Sequence, residues 1–243
     1  MNIALLIPAF NEAPNLEPLF QAIAKVPEPV FAAVVLVDNG STDGTGEIAQ
    51  RCGATVLTET RRGYGAACLC GLEWLRQHEP EVEAVLFLDA DLSDDPMACV
   101  DVMAPILTFE ADLVIGSRVQ QAEVGALNIV QRIGNQIACR LIYWTTGKRY
   151  SDLGPMRCIT WRALQKIDMQ DQTWGWTVEM QMKAALRGVR VQEVSVPYRR
   201  RHAGRSKISG TISGVVRAGY KIITTILVLW WKNRSGSVSR STK

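Results

Sequence analysis

Two aspartates one residue apart, Asp89 and Asp91, close an apolar run in the segment Leu88-Asp89-Ala90-Asp91-Leu92. On a β-strand alternate side chains share a face, so two carboxylates at a strand end converge on one ion. A divalent cation held there keeps positions open for diphosphate oxygens and water. An acidic pair in a plain turn is the competing reading. Behind the pair, Asp94, Asp95 and Pro96 make a good helix start, and both aspartates are expected to cap it.

A second cluster, Val37-Asp38-Asn39-Gly40-Ser41-Thr42-Asp43-Gly44, follows another apolar run. Asp38 at that strand end can accept hydrogen bonds from base N–H or ribose hydroxyl groups, and Ser41, Thr42 and Asp43 read as turn and helix cap. Pro8-Ala9-Phe10-Asn11-Glu12 adds an aromatic ring and an acid at a neighbouring strand end. Gly63 and Gly65 in Arg61-Arg62-Gly63-Tyr64-Gly65 precede a helix and could present amides to phosphate. The third small residue of a dinucleotide fingerprint is missing there, where Cys68 stands, and no Gly-Lys-Ser/Thr loop, serine elbow or HExxH occurs. Farther on, Asp152 and Glu179 are candidate proton acceptors for a hydroxyl substrate, with turn capping and a favourable helix-dipole position as their structural alternatives. Trp174 and Trp176 suit either sugar stacking or the core. His78 reads as a surface residue.

These polar clusters need a frame that gathers strand ends. Apolar runs at Ile3–Ile7, Ala33–Val37, Thr55–Leu57, Ala84–Leu88 and Asp112–Ile115 alternate with helical patterns at Asn15–Lys25, Thr45–Cys52, Ala66–Gln77 and Pro96–Leu107. Such alternation predicts an α/β fold, a mostly parallel sheet with helices on both faces. Ligands of such sheets bind beyond the carboxyl ends of the strands, where all four clusters fall, the last being Gly116–Arg118. After Val119 the pattern becomes a helix over Asn128–Thr146, a polar loop at Ser151–Arg157, a helix around Thr177–Leu186 and a strand at Val189–Val196. One catalytic domain over residues 1–210, followed by a basic helix and tail over 211–243, is the expected organisation.

The 243 residues carry a net charge of only +3, but unevenly. From Val194 onward there is no acid and there are eleven Lys and Arg, whereas the first 193 residues hold 16 basic and 24 acidic side chains. An acidic body with a basic end points to nucleic acid, an anionic membrane or a phosphorylated ligand. Nucleic acid is the weakest of these, because no helix-turn-helix, RRM or zinc-finger pattern occurs. Six cysteines without a CxxC pair read as reduced, buried thiols of a cytoplasmic chain. In Ile212–Trp231, Arg217 and Lys221 interrupt the apolar run, leaving it short of the ~20 residues that span a bilayer. Ser213, Arg217, Lys221 and Thr224 share one helical face and Val216, Tyr220, Ile223 and Leu227 another, which suits a helix lying in a membrane interface or packed on the body or on a partner subunit.

Taken in order, IPAFNEAPNL, VDNGSTDGT, RRGYGAA, FLDADL, IGSR and RRRHAGRSKISG resemble the family 2 glycosyltransferases of GT-A, Rossmann-like fold, and among them the dolichyl- and polyprenyl-phosphate sugar synthases. The resemblance implies an inverting transferase that takes a sugar from a UDP or GDP donor with Mg2+ or Mn2+. It implies that Asp38 meets the base, that Pro8, Phe10 and Glu12 line the same pocket, and that Asp89 and Asp91 hold the metal, with Ala90 between them at the donor. It places Arg118, Arg132, Arg201, Ser206 and Lys207 around the phosphate of a polyprenyl acceptor, on the cytoplasmic face of a membrane. Asp91, Arg118, Asp152 and Glu179 are then the catalytic candidates. The chain departs from the synthase pattern at Ser93 (commonly Gln), at Asn39 (commonly a second acid) and at Arg205 (usually Glu). A hydroxyl acceptor served by a carboxylate base is the alternative, and a non-catalytic membrane adaptor a further one.

Overall fold

The computed structural model describes residues 1–27, 31–204 and 212–238, with side chains omitted at 212–216 and 236–238. Seven strands form one sheet in the order β3-β2-β1-β4-β6-β5-β7. They are β1 (Ile3–Ala9), β2 (Ala33–Asp38), β3 (Thr55–Thr58), β4 (Ala84–Phe87), β5 (Leu113–Ser117), β6 (Arg157–Thr160) and β7 (Val191–Ser195). Pairings among β1 to β4, and between β5 and β7, are parallel, while β6 runs antiparallel to β4 and β5. Strand alternation divides the core in two. Ala4, Leu6, Val35, Val37 and Phe87 face one apolar cluster, and Leu5, Ile7, Leu36, Leu86 and Leu88 face the other.

Helices α1 (Ala13–Ile23), α2 (Thr45–Arg51) and α4 (Cys99–Leu107) cover the second cluster. The first is covered by α3 (Tyr64–His78), α5 (Ile129–Thr146), α6 (Trp161–Ile167), α7 (Trp176–Leu186) and α8 (Ile212–Val238). Trp176 is buried there, edge-on to Phe87 at 5.9 Å between ring centroids. Removing an aromatic side chain of this kind from water contributes about 1.5–3 kcal/mol. The parallel sheet with two helical faces is as expected.

Three local expectations are corrected. The stretch ending at Arg157 is not only a polar loop, because Arg157 opens β6 and is fully buried. The helix at Pro96 splits into a 3-10 turn over Pro96–Ala98 and α4, and Asp95 alone caps it by accepting the Met97 N–H at 3.1 Å. Asp94 points inward instead, 1% exposed. Cys68, Cys99, Cys139 and Cys158 are buried free thiols, and His78 is exposed against Trp74. The C-terminal helix α8 packs on α5 and α7, burying Ala218 and Ile226. Among the described residues no helix is long and apolar enough to cross a membrane.

Candidate active site

Strand register assembles the site. Parallel pairing sets Ala9 beside Asp38 and Leu6 beside Phe87, so the chain segments leaving β1, β2 and β4 emerge at one sheet edge. Two of the turns there contain non-glycine residues in the left-handed region, Asn11 (φ 52°) and Leu92 (φ 60°). Such backbone costs of order 1 kcal/mol or more and persists where surrounding contacts hold it. At Asn11 the contacts are visible: its N–H donates to Ser41 Oγ at 2.8 Å and its side-chain oxygen accepts the Thr42 N–H at 2.9 Å.

Asp38 is half-buried, and one of its oxygens accepts the Ser41 N–H at 2.9 Å. The Phe10 ring lies 4.0 Å from the Arg62 guanidinium carbon, forming a flat cationic and aromatic wall. Arg62 also donates to the Asn39 carbonyl at 2.9 Å. Asn39, buried, donates to the carbonyls of Glu59 and Arg61 and accepts the Gly63 N–H. It therefore ties the β2 end to the glycine-containing loop, a task for which an amide serves and a carboxylate does not.

The glycines serve packing. An added Cβ at Gly65 would lie 2.0 Å from the Asp171 carbonyl oxygen, and one at Gly63 would lie 2.1 Å from that of Gln172. The amides of Gly65 and Ala66 donate to the carbonyls of Thr173 and Gln172, which corrects the phosphate-cradle reading of this loop. Gly65→Ala is expected to lower stability by about 1–3 kcal/mol, read as a fall in melting temperature, since backbone rather than a movable side chain must give way.

Beyond β4, Asp89 accepts the Tyr64 hydroxyl at 3.1 Å. Burial first, and the neighbouring Asp91 second, push the Asp89 carboxyl up to about 7, against the Tyr64 hydrogen bond and the charges of Arg118 and Arg201. Asp91 accepts the Ser93 N–H and an Arg201 guanidinium N–H, each at 2.8 Å. Arg201 also donates to both oxygens of Glu12 at 2.8 Å, and Asn15 donates to Glu12 at 2.6 Å. Glu12, expected to line the nucleotide pocket, thus holds Arg201 over Asp91. The Arg199 and His202 amides donate to the Ser93 and Asp91 carbonyls and lay this segment along the aspartate turn.

Both carboxylate oxygens of Asp94 lack a hydrogen-bond partner among the described residues, and burial, then Asp89, raise its pKa well above normal. Glu12, Asp89, Asp91, Asp94 and Asp152 together outnumber the guanidinium groups of Arg118, Arg157 and Arg201. An orphaned buried carboxylate and a local excess of acid fit a divalent cation at Asp89 and Asp91. No group of three His, Cys, Asp or Glu is arranged for a metal among the described residues, so ligand oxygens and water would complete its shell. Arg201 competes for the same Asp91 oxygen charge. Arg201→Gln is expected to tighten Mn2+ binding about tenfold, measured by the free-ion resonance signal during titration.

Arg118, at the end of β5, forms the second half of the site. Its backbone N–H and its guanidinium make three hydrogen bonds of 2.8 Å to Asp152, which is fully buried. Burial alone would weaken the Arg118 charge, but the Asp152 bonds more than offset it and the guanidinium stays protonated. Its other side lies 4.9 Å from the centre of the Tyr198 ring. Ser151 and Ser117 hydroxyls meet at 2.7 Å, and Glu193 accepts the Ser151 and Asp152 amides. Arg157 lies in the core beside this group, donating to the carbonyls of Gly154 and Thr177, and burial lowers its pKa to about 10.

One expected residue, Glu179, stands apart from the strand-end carboxylates. Glu179 is buried on α7, accepts the Gln170 and Asp171 amides and pairs with Lys183 at 2.8 Å. It lines a separate cleft of about 600 Å3 between α7 and α8, whose walls include none of Asp38, Asp89 or Asp91. It shapes the 170–173 turn against which Gly63 and Gly65 pack. The Ala90 methyl is in the apolar core, leaving only its backbone for a donor. Arg132 is exposed on the first turn of α5 and donates to the Leu127 carbonyl. Pro8 is buried within β1. Trp176 is core, and Ser206 and Lys207 lie outside the described residues. The sequence assigns no role to Tyr64 or Arg62, marks Asn39 only as a departure from the family pattern, and gives Asp94 only the role of a helix cap. Tyr64 and Arg62 stood within a motif already noted, but their partners are 25 and 52 residues away.

Known proteins share the family and the fold of this chain. The model described as glycosyl transferase family 2 matches residues 4–168. An uncharacterized glycosyltransferase of Mycobacterium tuberculosis (strain H37Rv) is 33% identical over 222 residues, covering 89% of this chain and 94% of its own. The undecaprenyl-phosphate mannosyltransferase of Micrococcus luteus is 28% identical, covering 88% of this chain and 90% of its own. In fold, the chain is similar to glucosyl-3-phosphoglycerate synthase from Mycobacterium tuberculosis, solved with Mn2+, UDP and phosphoglyceric acid (TM-score 0.74, 19% identity, 94% of this chain and 78% of that one). A GT-A sheet with carboxylates at its strand ends, a family match across most of the chain and a full-length relative at one-third identity make this chain a member of the family 2 glycosyltransferases.

Proposed function

We propose that the chain transfers a sugar, with inversion, from a nucleotide sugar to a polyprenyl phosphate at a membrane surface. The observation that carries this reading is the pairing, at one sheet edge, of strand-end carboxylates with two arginines held by carboxylates of their own. Asp38 and the Phe10–Arg62 wall receive the base and ribose. Asp89 and Asp91 hold Mg2+ or Mn2+, which when bound neutralises charge on the leaving diphosphate. Fold neighbours crystallised with Mn2+ or Mg2+ and UDP support that donor chemistry.

The acceptor follows from proton bookkeeping. A hydroxyl acceptor needs a free carboxylate to take its proton. Asp152 is committed to Arg118, Glu12 to Arg201 and Glu179 to Lys183, and the oxygens of Asp94 are sealed from solvent. A phosphate oxygen is already ionised and needs only cations to guide it, which Arg118 and Arg201 supply. Mannosyl transfer to undecaprenyl phosphate, named for the Micrococcus relative, is chemistry of this class.

A panel of labelled UDP and GDP sugars with Mg2+ or Mn2+ and membrane extract tests the reading. Label is expected in the organic phase, in a product cleaved by mild acid. Label confined to water-soluble product would refute the lipid phosphate and leave the glycosyltransferase standing.

A further inference from the structure

Helix α5 buries one face and leaves an apolar face uncovered. Ala138, Cys139 and Ile142 are buried, whereas Ile129, Val130, Ile133, Ile137 and Trp144 are exposed, Ile129 at 74% and Trp144 at 75%. At 3.6 residues per turn these five fall on one side of the helix. Monomeric proteins rarely expose an apolar face of this length, interrupted here by Arg140 alone, so it marks a contact surface.

Its surroundings specify the chemistry of the contact. No acid occurs between Glu123 and Asp152, while Arg132, Arg140, Lys148 and Arg149 are all exposed there. The Arg149 guanidinium lies over the Tyr143 ring near the end of the helix. The adjacent α8 shows the same composition: Tyr220, Leu227 and Trp231 are exposed, with Arg217, Lys232 and Arg234 also exposed and no acid. Aliphatic side chains, interface-seeking aromatics and cations in segments without acids match an anionic lipid headgroup layer. A second copy of this face would set like charges against each other. No described helix spans a bilayer, so the contact lies along the surface.

We infer that α5 seats the enzyme on an anionic bilayer, with its apolar stripe among the acyl chains and its cations at the headgroups. The inference rests on the polyprenyl-phosphate reading for its purpose, because α5 is bonded directly to the loop that holds Arg118. Asn135 donates to the Ser151 carbonyl and accepts the Leu153 N–H, flanking Asp152, which grips Arg118. Seating α5 therefore brings the Arg118 end of the site to the level at which a lipid phosphate lies. The sequence pointed to α8 alone as the membrane element; α5 joins it and is the closer of the two in bonding to Arg118.

Co-sedimentation of the full chain with vesicles tests this without donor or acceptor. Binding is expected to equal parts phosphatidylcholine and phosphatidylglycerol and to be weaker by about tenfold or more on phosphatidylcholine alone. Ile133→Asp with Ile137→Asp should reduce binding to the mixed vesicles about tenfold or more, with circular dichroism and Mn2+ binding unchanged. Tryptophan quenching by a spin-labelled lipid, reduced in Trp144→Phe, gives a second readout that leaves the apolar face intact. Undiminished binding and quenching in these variants, or loss only in Leu227→Asp on α8, overturns the inference. So does self-association of the wild type that the α5 variant abolishes. Vesicle binding without organic-phase label overturns the acceptor reading alone, and transfer to detergent-dispersed polyprenyl phosphate without vesicle binding overturns the α5 surface alone.

Discussion

Asp89→Asn is expected to lower metal-dependent sugar transfer by about 10³-fold or more while the fold survives. The amide keeps an oxygen for the Tyr64 hydroxyl, so the local hydrogen bond remains. What disappears is one of two charges available to a cation at the diphosphate. Initial rates with Mg2+ or Mn2+ measure the first effect, and loss of Mn2+ binding in the free-ion signal measures the second. Unchanged transfer in this variant would sink the metal assignment, whatever the acceptor proves to be.

The same variant carries a stability signature of opposite sign. The folded Asp89 carboxyl titrates at about 7, against a normal value of 3.8. An acid with a raised folded pKa binds its proton more tightly in the native state, so it costs stability as pH rises from about 4 through about 7. Metal-free Asp89→Asn should therefore melt above wild type at about pH 8, and the two should converge at about pH 4. Saturating Mg2+ should reverse the order at the higher pH, because a bound cation stabilises only the wild-type pair. Thermal melts at the two pH values, with and without the ion, decide this.

What could be read in advance followed from locality. β1, β2 and β4 were legible because Ile3–Ile7, Ala33–Val37 and Ala84–Leu88 are uninterrupted apolar runs, the pattern of strands buried on both faces. β6 was not, because it is four residues long and opens with an arginine, and a charged residue at a polar boundary reads as loop. That arginine is buried because the carbonyls of Gly154 and Thr177 receive it, and no local pattern announces such a partner. Asp94 shows the reverse error. Asp-Asp-Pro is the grammar of a helix start, but only Asp95 obeys it, since a left-handed Leu92 precedes Asp94 and the Asp94 backbone bridges to Tyr198 instead. The carboxylates at the strand ends were visible by type and position. Their partners were not: Glu12 and Arg201 are 189 residues apart and meet only after the sheet has formed.

Asp152→Asn is the second change with a large expected effect, and it separates the two acceptor chemistries. Asp152 is buried and accepts three bonds from Arg118, whose side chain is only 14% exposed. Asparagine can accept through one oxygen, but its NH2 group would face the guanidinium, leaving a buried charge without its counterion. Breaking a buried pair from one side costs about 3–5 kcal/mol, so melting temperature should fall substantially. If Arg118 guides an ionised phosphate, the surviving enzyme should lose about 10²-fold in kcat/KM, chiefly through a higher KM for polyprenyl phosphate. Its affinity for the nucleotide should hardly change. If Asp152 were instead the base for a hydroxyl, kcat would collapse at constant KM and the acidic limb of the pH–rate profile would vanish. Glu179→Gln serves as the control, because it removes an equally buried ion pair from the α7–α8 cleft. That variant should lower stability and leave the acceptor KM where it was.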